Sequence, residues 1–373
     1  MDIIYFSNTL WHSLRQRPQQ IALALSKKNR VLFVEPATNI FSLIKSNKNN
    51  NNFFHIKNTN LFILKAIPTL PFKNYFSFLN KYYQNKVYRT VKKIIKNLEF
   101  SDMINWLTFP SHAPLIGKFN EKFLIYECMD EYVEFEKTYK RSLLNRYEEE
   151  IIDNADLIIV TSDALLESKK RHSKKIFLST NAAEVEYFEK VVNGNFEKLR
   201  IFSNENPVIG YIGIIQQKLD YELIENLIKN NPFWNFLFIG PIRTDISQIE
   251  KYNNVKFTNY IPYSELLPYL KTIDIAIVPF SINKMTENIN PIKIYEFIAA
   301  GKPVVSTPFP EAKKFTRFVN IASGYKEFTI AISKELKENS NEKISLRLAF
   351  VKKHNWQERA NVLEEKIIEM QQG

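Results

Sequence analysis

The stretch NPIKIYEFIAAGKPVVST (290–307) carries a helix start, a helix stop and a buried strand in immediate succession. Asn290 is of a type that caps helices, and Pro291 stands where its missing N–H costs nothing. Pro291 to Ala300 reads as a helix, Gly301 as its stop, and Pro303 to Ser306 as the following strand. A helix tip offers unpaired backbone N–H groups and a positive dipole end, which suits a phosphate. Lys293 adds a charge in the first turn, and Glu296 lies within two turns, able to accept hydrogen bonds from sugar hydroxyls. Two readings fit these residues equally: an anion site with a hydroxyl-binding carboxylate, or an ordinary capped helix of an α/β domain.

Working outward, short apolar runs and helical patterns alternate along the whole chain. Ile3 to Phe6, Val31 to Val34, Phe62 to Leu64, Ile104 to Leu107, Phe123 to Tyr126 and Leu157 to Val160 read as strands. A helix is expected to open at Pro18, and another to run from Lys81 to Leu98. A second series begins after a polar stretch at 193–206: Val208 to Ile212, Phe236 to Ile239, Val255 to Phe257 and Ile275 to Val278. Asp220 and Ser264 are candidate caps for the helices between them. Two consecutive βα series predict an α/β protein with two Rossmann-like sheets. The expected domains are 1–192 and 193–353, with an amphipathic helix at about 354–373 crossing back onto the first.

The run at 288–307 resembles the signature of the retaining glycosyltransferases of family 4 on the GT-B fold: two Glu separated by seven positions, then a small-residue Gly-Lys-Pro-Val-Val ending. It looks like the subgroup of teichuronic-acid and related surface-polysaccharide transferases. Glu296 falls on the second Glu, which in the family binds the donor ribose. The first falls on Asn288, a departure; Asn288 would act there as a neutral group, or Glu287 would substitute after a local shift. VIGYIGIIQQKLDYELI (208–224) looks like the first strand and glycine loop of the donor domain. Gly210 and Gly213 would let backbone approach a diphosphate, and Lys218 would neutralise the leaving phosphate. Tyr260 and Ile261 fall on the segments that flank the nucleobase.

The resemblance thus implies two Rossmann-like domains facing across a cleft, with donor contacts from Gly213, Lys218, Tyr260, Ile261, Asn288, Asn290, Pro291, Ile292, Lys293 and Glu296. SNTLWHSLRQRPQQIALAL (7–25) resembles the subgroup's Trp…Gln-Arg-Pro opening. It places Trp11 and Arg17 on the loop after the first strand, on the acceptor side. For Trp11 a core aromatic is the alternative, and for Arg17 an ion pair with Glu35. Asp130 ends a strand in IYECMDEY (125–132) and either orients the acceptor hydroxyl or caps a turn. The turn STNAAEVEYF (179–188), with Glu184 near a usual Asp, reads as structural. Lys218, Glu296 and Asp130 are the expected catalytic residues. No Asp-x-Asp, His-Glu-x-x-His or paired Cys occurs, so no metal and no cofactor beyond the nucleotide-diphosphate sugar co-substrate is expected.

The net charge of +11 is concentrated. Residues 36–98 hold eleven of the 51 Lys and Arg and no Asp or Glu, while the remaining 40 balance the 40 acidic residues. Ten Phe and Tyr between Phe53 and Tyr88 are interleaved with them. This suits an anionic membrane surface better than a merely solvated face, and better still than nucleic acid. A single cysteine, Cys128, points to a reducing compartment. No signal-peptide pattern and no apolar run of membrane-spanning length is read, so a cytoplasmic enzyme, peripheral at the inner face of the plasma membrane, is expected.

The competing classes are a nucleotide-sugar epimerase, a catalytically silent scaffold in polysaccharide assembly, and a basic RNA-binding protein. A dehydrogenase would need a Gly-x-Gly-x-x-Gly turn, which the sequence lacks.

Overall fold

The computed structural model of the chain describes residues 1–39, 52–69, 75–132, 138–170 and 175–372. These form two compact units, Met1–Thr180 with Arg359–Gly373, and Asn181–Glu358.

The first unit is built on an eight-stranded sheet. Its spatial order is Ile176–Leu178, Leu157–Val160, Phe123–Cys128, Met103–Leu107, Asp2–Phe6, Arg30–Val34, Leu61–Leu64, Phe53–His55. All neighbours pair in parallel except the last two, which are antiparallel. Parallel strands are covered on both faces and therefore read as continuous apolar runs; Ile3, Ile4, Val31, Leu32, Ile104 and Ile125 are fully buried. The first strand lies at the centre, and the order reverses around it. Loops leaving the carboxyl ends of Asp2–Phe6 and Met103–Leu107 therefore flank a crevice of the kind that holds ligands in such sheets.

The second unit repeats the design with six parallel strands, in the order Val255–Phe257, Asn235–Ile239, Val208–Ile212, Ile275–Val278, Val304–Ser306, Val319–Ile321. Numbered along the chain this is 3-2-1-4-5-6, the dinucleotide-fold order. Its reversal lies between Val208–Ile212 and Ile275–Val278, so Gly213 and Phe280 stand at the mouth. The two-domain α/β architecture is that of the GT-B fold.

Several local expectations meet a different packing. The first helix runs Arg17–Leu25, with Pro18 one residue inside it. The helix expected from Lys81 begins at Ser77 and ends at Asn97. Asp220 does cap its helix, accepting from the Leu223 amide at 2.9 Å. Ser264 caps nothing: Tyr263–Glu265 form a 3-10 turn that leads into the helix Leu266–Thr272. The units divide at 180/181, upstream of 192/193, because Ala183, Val185, Phe188 and Val191 pack into the core of the second unit. The terminal helix Trp356–Gln372 carries the chain back to the first unit at Arg359. There the Arg359 Nε donates to the Thr180 carbonyl (3.1 Å), Lys28 bonds Asn361 (2.9 Å), and Asn29 bonds Glu364.

Candidate active site

In the second unit, the loop after Ile275–Val278 delivers the helix Ile292–Ala299. Pro291 is its N-cap residue and supplies no side-chain cap. Asn290, expected as the cap, is committed elsewhere. Its Oδ1 accepts from the Asn181 amide (2.9 Å), its carbonyl accepts from Asn181 Nδ2 (2.7 Å), and its Nδ2 donates to Glu311 Oε2 (2.7 Å). The helix tip is thus left without a side-chain acceptor for its first amides, while Asn290 anchors the loop. Sequence reading assigned the side chain to the nearest helix; the fold assigns it to residues far along the chain.

On the first turns, Lys293 Nζ and Glu296 Oε2 form an ion pair at 2.7 Å. Glu296 is 5% exposed, whereas Lys293 is half-buried. Burial pushes the Glu296 carboxyl above the ordinary carboxylate range, Lys293 pulls against this, and Glu184 adds a push in the same direction as burial. Glu184 therefore lies in the electrostatic neighbourhood of Glu296. Its Oε2 accepts from the Tyr263 hydroxyl (3.0 Å), and Tyr263 stacks on Tyr187 at 4.5 Å. The turn at 179–188 is more than a closing turn: it brings Asn181 to Asn290 and Glu184 towards Glu296. The signal available in the sequence was a pair of polar residues in a turn where the chain changes unit.

At the carboxyl edge of the same sheet, a loop is stapled to a loop. The Ser281 amide donates to the Lys218 carbonyl (2.9 Å), the Asp220 amide to the Pro279 carbonyl (2.8 Å), and Leu219 bridges Phe280. The Lys218 ammonium lies 4.7 Å from the centre of the Phe280 ring. Gly213 follows the central strand at φ 152°, and its carbonyl oxygen would sit 2.1 Å from a Cβ on Gly240. Two loop backbones meet there with no room for a side chain. Gly210 serves a different purpose from the expected diphosphate approach, since a Cβ there would collide with the Ile273 side chain at 2.3 Å.

Asn288 donates its Nδ2 to the Lys284 carbonyl (2.9 Å) and ends the short helix Lys284–Glu287; Glu287 is exposed. Tyr260 is exposed and Ile261 half-buried against the core, both just after Val255–Phe257.

The acceptor-side candidates lie in the first unit and do not share one environment. Trp11 is half-buried in the loop after the first strand; its amide donates to Glu35 Oε1 (2.8 Å) and its ring meets Phe33 edge-on at 5.2 Å. Arg17, expected on that loop, is the first residue of the helix and is 2% exposed. Its partner is Glu127, not Glu35: Nε donates to Glu127 Oε1 at 2.6 Å, and the other nitrogens donate to the Thr180 carbonyl (3.0 Å) and Ser179 Oγ (3.1 Å). Glu35 is occupied by the Trp11 and Ala66 amides. Asp130 is half-buried two residues beyond Phe123–Cys128, its carbonyl accepting from the Tyr132 amide (2.9 Å). The Tyr132 hydroxyl accepts from Asn8 Nδ2 (3.0 Å), and Phe109 meets the Tyr132 ring at 4.9 Å. Asn8, Phe109 and Asp130 thus gather at the carboxyl ends of three central strands, beside the order reversal.

Comparison with known proteins places these observations. Residues 206–338 match the family described as "Glycosyl transferases group 1", a span that includes every donor-side candidate. The chain is 30% identical over 227 residues to the "Putative teichuronic acid biosynthesis glycosyltransferase TuaH" of Bacillus subtilis (strain 168), and the match covers 57% of each chain. The matched region thus spans little more than half the length of that curated relative. Among solved structures, a sucrose-phosphate synthase of Thermosynechococcus elongatus superposes with a TM-score of 0.69 at 14% identity, covering 99% of this chain and 98% of that one. An E. coli trehalose-6-phosphate protein bound with UDP-2-fluoro glucose gives 0.69 at 12% identity, covering 100% and 99%. The catalytic domain of starch synthase IV from Arabidopsis thaliana, bound to ADP and acarbose, gives 0.68 at 10% identity, covering 100% and 99%.

Proposed function

We propose that this chain, a GT-B protein with a glycosyl transferases group 1 domain at residues 206–338, moves a sugar from a nucleotide-diphosphate sugar to a hydroxyl of a glycan or lipid-linked acceptor in cell-surface polysaccharide assembly. The observation that carries this reading is the Lys293–Glu296 pair on a helix tip with no side-chain cap, at the carboxyl edge of a dinucleotide-type sheet. In the reading, the Glu296 carboxylate accepts hydrogen bonds from the donor ribose. Lys293 leaves its internal partner to meet the diphosphate, as do Lys218 and the amides of Ile292 and Lys293.

The difficult step is departure of the nucleoside diphosphate. As the bond from the anomeric carbon to the β-phosphate oxygen breaks, the electron pair stays on that oxygen. The acceptor oxygen bonds the same face of the anomeric carbon, and its proton passes to the departing phosphate. Fixed donors aimed at the developing charge lower this barrier, each by about 3 kcal/mol. This route retains anomeric configuration and needs no metal. Tyr260 and Ile261 flank the base, and Asn288 serves the sugar as a neutral group. On the acceptor side we assign Trp11 and Asp130 to contact, while Arg17 acts by fixing the helix that follows the Trp11 loop.

The experiment is a thermal-shift panel of UDP-, GDP-, ADP- and dTDP-sugars, followed by nucleotide release with the donor that shifts, with and without glycan acceptors. At least one donor should stabilise the wild type and not Glu296→Ala. Equal shifts for both proteins would refute the reading. Asn288, where the resemblance expects a carboxylate, favours one alternative, a silent scaffold; it predicts a donor shift with no release under any acceptor. Sugar interconversion without acceptor would identify an epimerase.

A further inference from the structure

We propose that the solvent face of the helix Ser77–Asn97 is a docking surface for an anionic lipid bilayer. The inference complements the lipid-linked acceptor of the functional reading, but stands on separate observations. This helix buries Asn80, Tyr83, Gln84, Val87, Val91 and Ile95, a stripe with spacings of three and four residues that ties it to the first unit. Every fully exposed position on the helix is Phe, Tyr, Lys, Arg or Asn.

The two chemistries are sorted along its length. At the amino end, Tyr75 and Phe76 just before the helix and Phe78 and Tyr82 on it are exposed, Phe78 and Tyr82 by 67% and 69%. Towards the carboxyl end the same face carries Lys86, Arg89, Lys93 and Lys96, with Lys81 beside the aromatics. A face that only needed water would gain nothing from four exposed aromatic rings, two of them (Phe76 and Phe78) in contact at 5.9 Å, which cost hydration free energy when left exposed. A face that only bound an anionic polymer would not need them clustered at one end. Lys45, Lys48, Phe72 and Lys73 of the same basic stretch lie outside the described residues.

Aromatic side chains settle at the level of lipid headgroups, and cations beside them meet the negative surface potential. A helix lying in the plane of the surface would insert Phe76, Phe78 and Tyr82 and rest its cations on the headgroups. The helix itself contributes no Asp or Glu to repel such a surface. Among the described residues no helix is long and apolar enough to cross a membrane, so attachment through this face is peripheral.

The test is flotation of the full chain with vesicles of phosphatidylcholine alone or with 30% phosphatidylglycerol, at low and at physiological salt, without donor or acceptor. The wild type should float only with anionic vesicles, and less at higher salt. Replacing Lys81, Lys86, Arg89, Lys93 and Lys96 together by Gln should cut partitioning more than ~100-fold. Phe76→Ser with Phe78→Ser and Tyr82→Ser should cut it ~10-fold or more and keep the salt dependence. Unaltered melting temperatures establish that both variants fold, and the salt dependence of the wild type reads the same charges without any substitution. A wild type that stays below the gradient, or variants that float like it, would overturn the proposal. So would a single-stranded RNA oligonucleotide that binds the same face more tightly than the vesicles do. An intact donor shift in a variant that no longer floats would leave the catalytic reading standing.

Discussion

Arg17 and Glu127 meet at 2.6 Å in the interior of the first unit, with neither side chain more than 2% exposed. Glu127 Oε2 also accepts from the Tyr5 hydroxyl (2.6 Å) and the Trp106 indole (2.9 Å), so both carboxylate oxygens are engaged. Removing one partner of such a pair strands a buried charge. Arg17→Ala should therefore lose about 3–5 kcal/mol of stability in urea unfolding. Combining it with Glu127→Leu should recover part of the loss. A stable Arg17→Ala protein whose only defect is acceptor KM would contradict the interior role.

A second buried cluster makes a parallel case. Lys169 Nζ bonds Glu131 (2.8 Å) and Glu148 (2.9 Å), and Glu148 accepts from the Tyr126 hydroxyl (2.7 Å). Lys169→Met should cost about 3–5 kcal/mol, because it leaves two carboxylates facing each other in a poorly hydrated site. Calorimetric melting of the first unit checks it, with donor-induced stabilisation of the second unit unchanged.

For Lys218 the expected loss is kinetic. Lys218→Ala should lower kcat about 100-fold with little change in the melting temperature of the apoprotein. The side chain is half-buried over the Phe280 ring, on the loop between Val208–Ile212 and the helix that Asp220 caps. A variant with unaltered kcat and a raised donor KM would move Lys218 from leaving-group stabilisation to plain binding.

Glu296 gives a pH signature. Burial raises its carboxyl above the ordinary range, so the folded protein keeps this proton at pH values where the unfolded chain has lost it. Stability linked to this group therefore falls as pH climbs from the ordinary carboxylate range through the raised value. The ionised form is the one that accepts two hydroxyls, so donor affinity should rise over the same window and level off above it. Thermal melting against pH reads the first trend and titration calorimetry with donor the second, with Glu296→Gln as the flat control in both.

Gly240→Ala tests the backbone contact at the mouth of the second sheet. The added Cβ would press on the Gly213 carbonyl at a φ of 135°, a conformation other residues rarely adopt. About 2–4 kcal/mol should be lost, and donor-induced stabilisation with it, since Gly213 must shift. Thermal shift with and without donor measures both.

The strands of both sheets were readable because a parallel strand covered on both faces leaves an apolar run that needs no context. The edge strands Phe53–His55, Ile176–Leu178 and Val319–Ile321 escaped that logic: each is three residues long and incompletely buried, and the first is antiparallel. The Lys293–Glu296 pair was readable because its members lie three positions apart on one helix. What composition and spacing hid were the long-range commitments. Asn290 caps nothing because Asn181 and Glu311 claim it, and Arg17 bypasses Glu35 because Glu127, on the strand Phe123–Cys128 of the same sheet, meets its guanidinium. Side-chain identity states what a residue can bond; only the fold states which partner arrives.

The return of the chain to its first unit at Arg359 has a consequence for biosynthesis. The Thr180 carbonyl, already bonded by Arg17, gains its second guanidinium, and Asn29 its carboxylate, from residues made only after the whole second unit has been translated. The first unit is thus completed only after the second has been made, and its nascent form must stay soluble while the second emerges and folds. A stop codon at position 359 would spare the second unit whole and cripple the first.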